Sequence, residues 1–382
     1  MEPEIRKLPV RFYEIDLLRF LAALSVVFYH YTYRSYHQGN FSPVNYPALG
    51  PITKYGFLGV QLFFIISGYV VLMSAQGKTV RQFFISRVTR LYPAFWVACT
   101  LTFVVVRIWG PAPGSVGWSS SLDVSVREYA LNMTMLHGFV GVEDLDSAYW
   151  SLTVEIGFYF LIAVLAGWRL FSYLPWVLAI WLAYCAFNGP AGNVDSPFFQ
   201  LFFPKYAPYF IAGMVFYLLQ TKAFRASVLY ALLAGAYLLT LRSVRLDMVQ
   251  GRTVFQDPDF SVGVGIAAVS GFFMIFWLLI KRYFDLSRYQ WLSYCGALTY
   301  PLYLVHSSIG YVIYQHLGYS VNRYVLLAGL LTGLLLLAWT IHVAVEKRLA
   351  KPLGQRTNQL LDKLTNALAE RKPIALPAAP GK

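Results

Sequence analysis

Ten stretches of this chain are each apolar over about the twenty residues a helix needs to cross a bilayer core. Their approximate limits are 15–33, 57–75, 92–109, 149–168, 170–187, 198–219, 227–241, 261–280, 292–317 and 323–345. The seventh is short, and only Trp168 and Arg169 separate the fourth from the fifth. Such a chain is expected to be all-α and polytopic, with about ten transmembrane helices. Composition agrees: 58% of the 382 residues are hydrophobic and only 13% are charged, whereas a soluble domain carries nearer about 25% charged residues. The net charge of +13 therefore reads as topology rather than as a nucleic-acid partner. Cys99, Cys185 and Cys295 all fall in apolar stretches and make neither a disulfide framework nor a spaced metal-ligand set. No cleavable signal peptide is expected, because the first span runs into a polar loop without a small-residue cleavage pattern.

Ten spans put both termini on one side. With that side cytoplasmic, only Arg34, Lys54, Arg107, Arg127, Arg242, Arg245, Arg252 and Arg323 fall in outer segments, and most of the remaining cations lie inside. This bias favours cytoplasmic N- and C-termini in the inner (plasma) membrane. The outer loops 34–56, 110–148 and 242–260 are the long ones, and loops of that length often carry function. Residues 1–348 read as one membrane domain. Residues 349–382 read as a basic cytoplasmic tail, partly disordered and ending in PIALPAAPGK. No internal repeat and no appended soluble domain is evident.

Ionisable groups inside spans are costly and usually face a protein interior or a wet cavity. Arg19 and His30 stand eleven residues apart in the first span, which returns them to nearly the same helix face about 16 Å apart. Asp16, one turn before Arg19, can pair with it. A membrane-interface anchor and a polar cap are the alternative roles for the two. Ser151 and Glu155 share a face at the start of the fourth span, and Glu155 needs a partner, for which Lys205 has a suitable depth. On the inner side Arg87 and Arg90, spaced i, i+3, suit either bidentate phosphate binding or anchoring on anionic lipid. Ser67-Gly68 in the second span allows close helix approach and a cross-helix hydroxyl bond. Pro301 is placed to kink the ninth span, where Tyr303 and His306 share a face. His342 and Glu346 are expected to pair structurally.

In this order EIDLLRFLAALSVVFYH, QLFFIISGYV, SRVTRLYP, YWSLTVEIGFYF and TYPLYLVHS resemble the acyltransferase 3 family of integral membrane acyltransferases, over about residues 12–348. The resemblance implies helices around a central pore. It also implies transfer of an acyl group, usually acetyl, from cytoplasmic acetyl-CoA to a hydroxyl of a surface or lipid-linked glycan. O-antigen, exopolysaccharide, capsule and peptidoglycan are typical acceptors. Membrane lipids and acyl-CoA are the other expected partners, and no metal is. By motif, His30 is the catalytic base or acyl carrier, Arg19 belongs to the same element, and Arg87 and Arg90 meet the donor. Glu155 would orient His30. Ser67 and Tyr303 would stand at the donor thioester and its oxyanion. A transporter or flippase-like carrier, using the intramembrane Arg, His, Glu and Lys as a substrate or proton path, is the rival reading from another class.

Overall fold

A computed structural model describes residues 12–370, apart from 40, 116, 120–121 and 194–195. Every regular element among them is helical. The long helices are α1 (Tyr13–Tyr29), α2 (Gly59–Ala75), α3 (Val80–Trp109), α4 (Trp150–Gly167), α5 (Leu174–Asn188), α6 (Ala207–Thr221), α7 (Ala226–Val254) and α8 (Val262–Ile280). They are followed by α9 (Leu292–Val305), α10 (Ser307–Leu317), α11 (Arg323–Ile341) and α12 (Lys347–Glu370). Nine helical stretches among the described residues are long and apolar enough to cross a membrane.

The ninth expected span, 292–317, is not one of them. It divides at His306 into α9, of 14 residues, and α10, of 11. The seventh departs in the other direction. Helix α7 runs 29 residues to Val254, so most of the expected loop 242–260 is helix. Hydropathy ended that span at 241 because Arg242, Arg245 and Asp247 follow. The structure provides for two of these: Arg242 donates to the Ala186 carbonyl at 2.9 Å, and Asp247 pairs with Lys205 at 2.7 Å. Helix α3 likewise begins twelve residues before the expected limit of 92, behind a capping box made by Thr79 and Gln82. Arg87 and Arg90 therefore project from a continuous helix. Between α4 and α5 the reversal turns on Arg169, whose φ of 56° is left-handed.

The expected tail, 349–382, is helical over its described part, to 370. These residues form α12, because Leu353, Gly354, Thr357 and Leu361 recur at helical spacing and their partly buried face packs on the start of α3. Arg81 clamps the contact, donating to Asn358 at 2.9 Å and to Asp362 at 2.6 Å. The terminal PIALPAAPGK lies outside the described residues.

The tightest helix pair is α2 with α6. A Cβ on Gly68 would stand 2.0 Å from the Phe210 carbonyl oxygen, and one on Gly213 would stand 2.0 Å from that of Ile65. Glycine at both positions lets two backbones touch, as small residues do between membrane helices. The wall so formed, with α1 against α9 beside it, surrounds the polar interior described next. Gly213→Val is expected to separate α2 from α6 and to destabilise the protein by about 1–3 kcal/mol or more. A lowered unfolding temperature in detergent, with insertion retained, is the measurement that checks it.

Candidate functional site

Helix α1 stays regular to Tyr29 and then widens into a π-helical turn, His30–Arg34. Such turns are uncommon and frequent at functional sites. His30 is buried at its start. Its Nδ1 lies 2.8 Å from the Val26 carbonyl oxygen. A carbonyl can only accept, so Nδ1 carries the proton and Nε2 is left with its lone pair. Arg34, four residues on, brings Nη1 to 3.1 Å from that Nε2. The same guanidinium donates to Gln38 at 2.9 Å and to Ser147 at 3.2 Å.

The second histidine comes from the break between α9 and α10. His306 is fully buried, with its Nε2 3.3 Å from Nδ1 of His30 and the ring centroids 4.8 Å apart. Its own Nδ1 donates to the Tyr303 carbonyl at 2.6 Å. A helix end leaves its last carbonyls without intrahelical partners, and here they are served by side chains. The His306 ring takes Tyr303, the Tyr149 hydroxyl takes Leu304 at 3.2 Å, and the Tyr31 hydroxyl takes His306 itself. On the other side of the break Asp146 caps α10, accepting from the Ser308 N–H at 2.8 Å. The Ala148 N–H donates to its other oxygen at 2.9 Å. Burial pushes the Asp146 carboxyl up to about 6, although both amides pull the other way.

Two cavities meet at Tyr303. The wider, of about 290 Å³, is lined by His30, Arg34, Gln61, Trp150, Lys205, Tyr206, Asp247, Gln250 and Tyr303 among others. The narrower, of about 60 Å³, is lined by Arg19, Ser67, Ser151, Glu155, Tyr300 and Tyr303. Val60 and Tyr303 border both. The Tyr303 hydroxyl is 2.7 Å from the Ser151 hydroxyl and 3.1 Å from the Ala148 carbonyl. In the narrow cavity Glu155 accepts from Ser67 at 2.9 Å and from Tyr159 at 2.6 Å. Arg19 feels the charges of Glu155, Asp16 and Arg90.

The sequence-derived candidates thus fall into three places. His30 lines the wide cavity, and Tyr303 stands between the two. Arg19, Glu155 and Ser67 gather in the narrow one. Arg87 and Arg90 lie beyond it toward the start of α3, with Arg87 over the Phe83 and Tyr159 rings at 5.4 Å each and Arg90 exposed. Three pairings need correction. Glu155 does not contact His30, because it lies in the narrow cavity bonded to Ser67 and Tyr159; Val26, Arg34 and His306 hold the imidazole instead. Lys205 pairs with Asp247 rather than Glu155. Ser67 directs its hydroxyl proton at Glu155, so it is not free to donate to an oxyanion. His342 and Glu346 do pair, at 2.6 Å. Sequence reasoning missed Arg34, Asp146, Gln61 and Asp247, and did not separate His306 from an ordinary core histidine. The one available signal was the i, i+4 spacing of His30 and Arg34.

A family profile described as acyltransferase domain matches residues 12–345. Among curated proteins, the chain is similar to acyltransferase MdmB of Streptomyces mycarofaciens, at 28% identity over 54% of this chain and 50% of that protein. It is also similar to nodulation protein 10 of Rhizobium leguminosarum bv. viciae, at 30% identity over 40% of this chain and 44% of that protein. The chain spans about half the length of these relatives. No solved structure matches it.

The Asp146 carboxyl binds its proton more tightly folded, near 6, than at its ordinary 3.8. Its contribution to stability is therefore fully present below the ordinary value and is lost as pH rises through about 6. Unfolding in detergent should show the wild type losing stability relative to Asp146→Asn across that interval. A difference between the two that stays flat with pH contradicts the assignment.

Proposed function

We propose that this chain, which belongs to the acyltransferase 3 family and is a membrane acyltransferase, moves an acyl group from acyl-CoA to a hydroxyl of a surface or lipid-linked glycan. Acetyl-CoA on the cytoplasmic side is the donor proposed, with both termini on that side of the plasma membrane. The observation that carries the reading is the state of His30. Its proton is fixed on Nδ1 by the Val26 carbonyl, its Nε2 is unprotonated and held only by Arg34, and the ring lines a cavity of about 290 Å³. A neutral imidazole so held suits general-base work near neutral pH.

In the proposed reaction the acceptor hydroxyl displaces Arg34 from Nε2 and gives its proton to that nitrogen. The oxygen attacks the thioester carbonyl, and Arg34 stabilises the oxyanion that forms. Collapse breaks the C–S bond. The imidazolium returns the proton to the departing thiolate, leaving an ester and free coenzyme A. His306 keeps the His30 ring from turning, which makes it a positioning residue. Arg87 and Arg90 bind the donor phosphates at the start of α3, and Arg19 with Glu155 lines the way between them and Tyr303. Acyl transfer to His30 itself, followed by passage to the acceptor, uses the same groups.

Two measurements test the proposal. His30→Ala is expected to abolish acyl incorporation from labelled acetyl-CoA while the protein stays inserted and abundant; retained incorporation removes His30 from the chemistry. Arg87→Ala combined with Arg90→Ala is expected to raise the KM for acetyl-CoA about tenfold or more, as the loss of charge-assisted phosphate contacts does. An unchanged donor KM removes the phosphate role.

A further inference from the structure

The wide cavity holds a polar wall that the steps above do not use. Gln61, on α2, is only 3% exposed and lies in the apolar run GVQLFFIISG. Its Nε2 donates to Asp247 Oδ2 at 3.2 Å, and its Oε1 has no hydrogen-bond partner. Turning the amide over does not help, since Oε1 would then face a carboxylate oxygen. A buried acceptor without a hydrogen bond loses its hydration with nothing to replace it. No described residue gives Gln61 Oε1 a donor, and a ligand in the cavity that Gln61 lines can bring one.

Its neighbours narrow the chemistry of that ligand. Lys205 meets Asp247 at 2.7 Å and Gln250 at 3.3 Å. The charges of Lys205 and Asp247 offset each other, so this part of the wall offers hydrogen-bonding capacity rather than a charge. Aromatic surface on the same lining comes from Trp150 and Tyr206, whose ring centroids are 5.0 Å apart. Polar edges set beside aromatic faces match a ring that carries hydroxyls on its rim and C–H bonds on its faces. At about 290 Å³ the space sits at the lower end of ligand pockets, about 300–1,000 Å³, which admits one such ring rather than a chain of them. His30 lines the same cavity.

We propose that Gln61, Asp247, Lys205 and Gln250 form a binding subsite for the hydroxyls of a single neutral, polyhydroxylated ring of the acceptor. The subsite rests on the acyl-transfer reading and deepens it. One ring hydroxyl donates to Gln61 Oε1, the Asp247–Lys205–Gln250 set takes its neighbours, and the ring is thereby held beside His30. Because the ion pair is satisfied internally, a charged ring gains nothing from it, and the Arg34 guanidinium on the same lining is already engaged by His30, Gln38 and Ser147.

The test uses the purified full-length protein with acetyl-CoA and three acceptors: methyl glucoside, methyl glucuronoside and hexanol. Transfer to the glucoside should exceed transfer to the other two. Gln61→Met, similar in length but apolar, should raise the KM for methyl glucoside about tenfold, the loss of one hydrogen bond, while the KM for acetyl-CoA does not follow. Gln250→Leu, at an exposed position where folding is not at stake, should raise it severalfold. Hexanol serving as well as the glucoside overturns the subsite. So does a glucoside KM that stays within about twofold of wild type in both variants. Wild-type protein that moves acetyl to none of the three marks instead the failure of the acyl-transfer reading, and the subsite falls with it.

Discussion

Inside a bilayer every backbone polar group must find its partner within the protein, and two of the places where this chain departs from the regular helical ladder face each other. One is the π-helical turn at His30–Arg34; the other is the interruption at His306. The cost of the second is met by side chains: Tyr31, Tyr149 and the His306 ring on the carbonyl side, Asp146 on the amide side. Those same groups bring two imidazoles together. The irregular backbone and the candidate site are thus one arrangement, and the regular helices around it serve to hold the two irregular segments in register.

Charge is distributed to match. Arg19 and Glu155 share the narrow cavity, Lys205 and Asp247 pair on the wall of the wide one, and Arg34 stands against His30. Of these only Arg34 combines a cation with a hydrogen bond to the imidazole, which keeps Nε2 occupied until another donor takes the place. Tyr303, bridged to Ser151 and Ala148, marks the boundary between the two chambers.

Much of this was legible from the chain alone, and what was not has physical causes. Nine of the ten apolar segments carry membrane-length helices, because hydropathy reports the transfer cost directly. The eleven-residue interval from Arg19 to His30 correctly turned both toward the interior, since α1 is regular until Tyr29. The π-turn begins at the next residue, and a 3.6-residue period no longer says where Arg34 points. Asp247 was hidden because the seventh span was ended at 241, six residues too early to include it; a charge already paired by a distant lysine looks, in one dimension, like the start of a loop. Asp146 sits in a short irregular stretch, VEDLDSA, without periodicity, so nothing in the sequence announced that it would cap a helix by bonding a residue 162 positions away. Pro301 signalled a bend, but the full interruption falls five residues later, where Tyr31 and Asp146 wait to receive it.

The direction of the imidazole hydrogen bonds has a bearing on the energetics of the cell. A proton arriving at Nε2 of His30 can release the one on Nδ1 only toward the Val26 carbonyl or the His306 ring. The His306 ring in turn ends on the Tyr303 carbonyl. Both routes are dead ends, since a peptide oxygen accepts a hydrogen bond without taking the proton. A membrane can therefore house a titratable dyad at this depth without short-circuiting its electrochemical gradient.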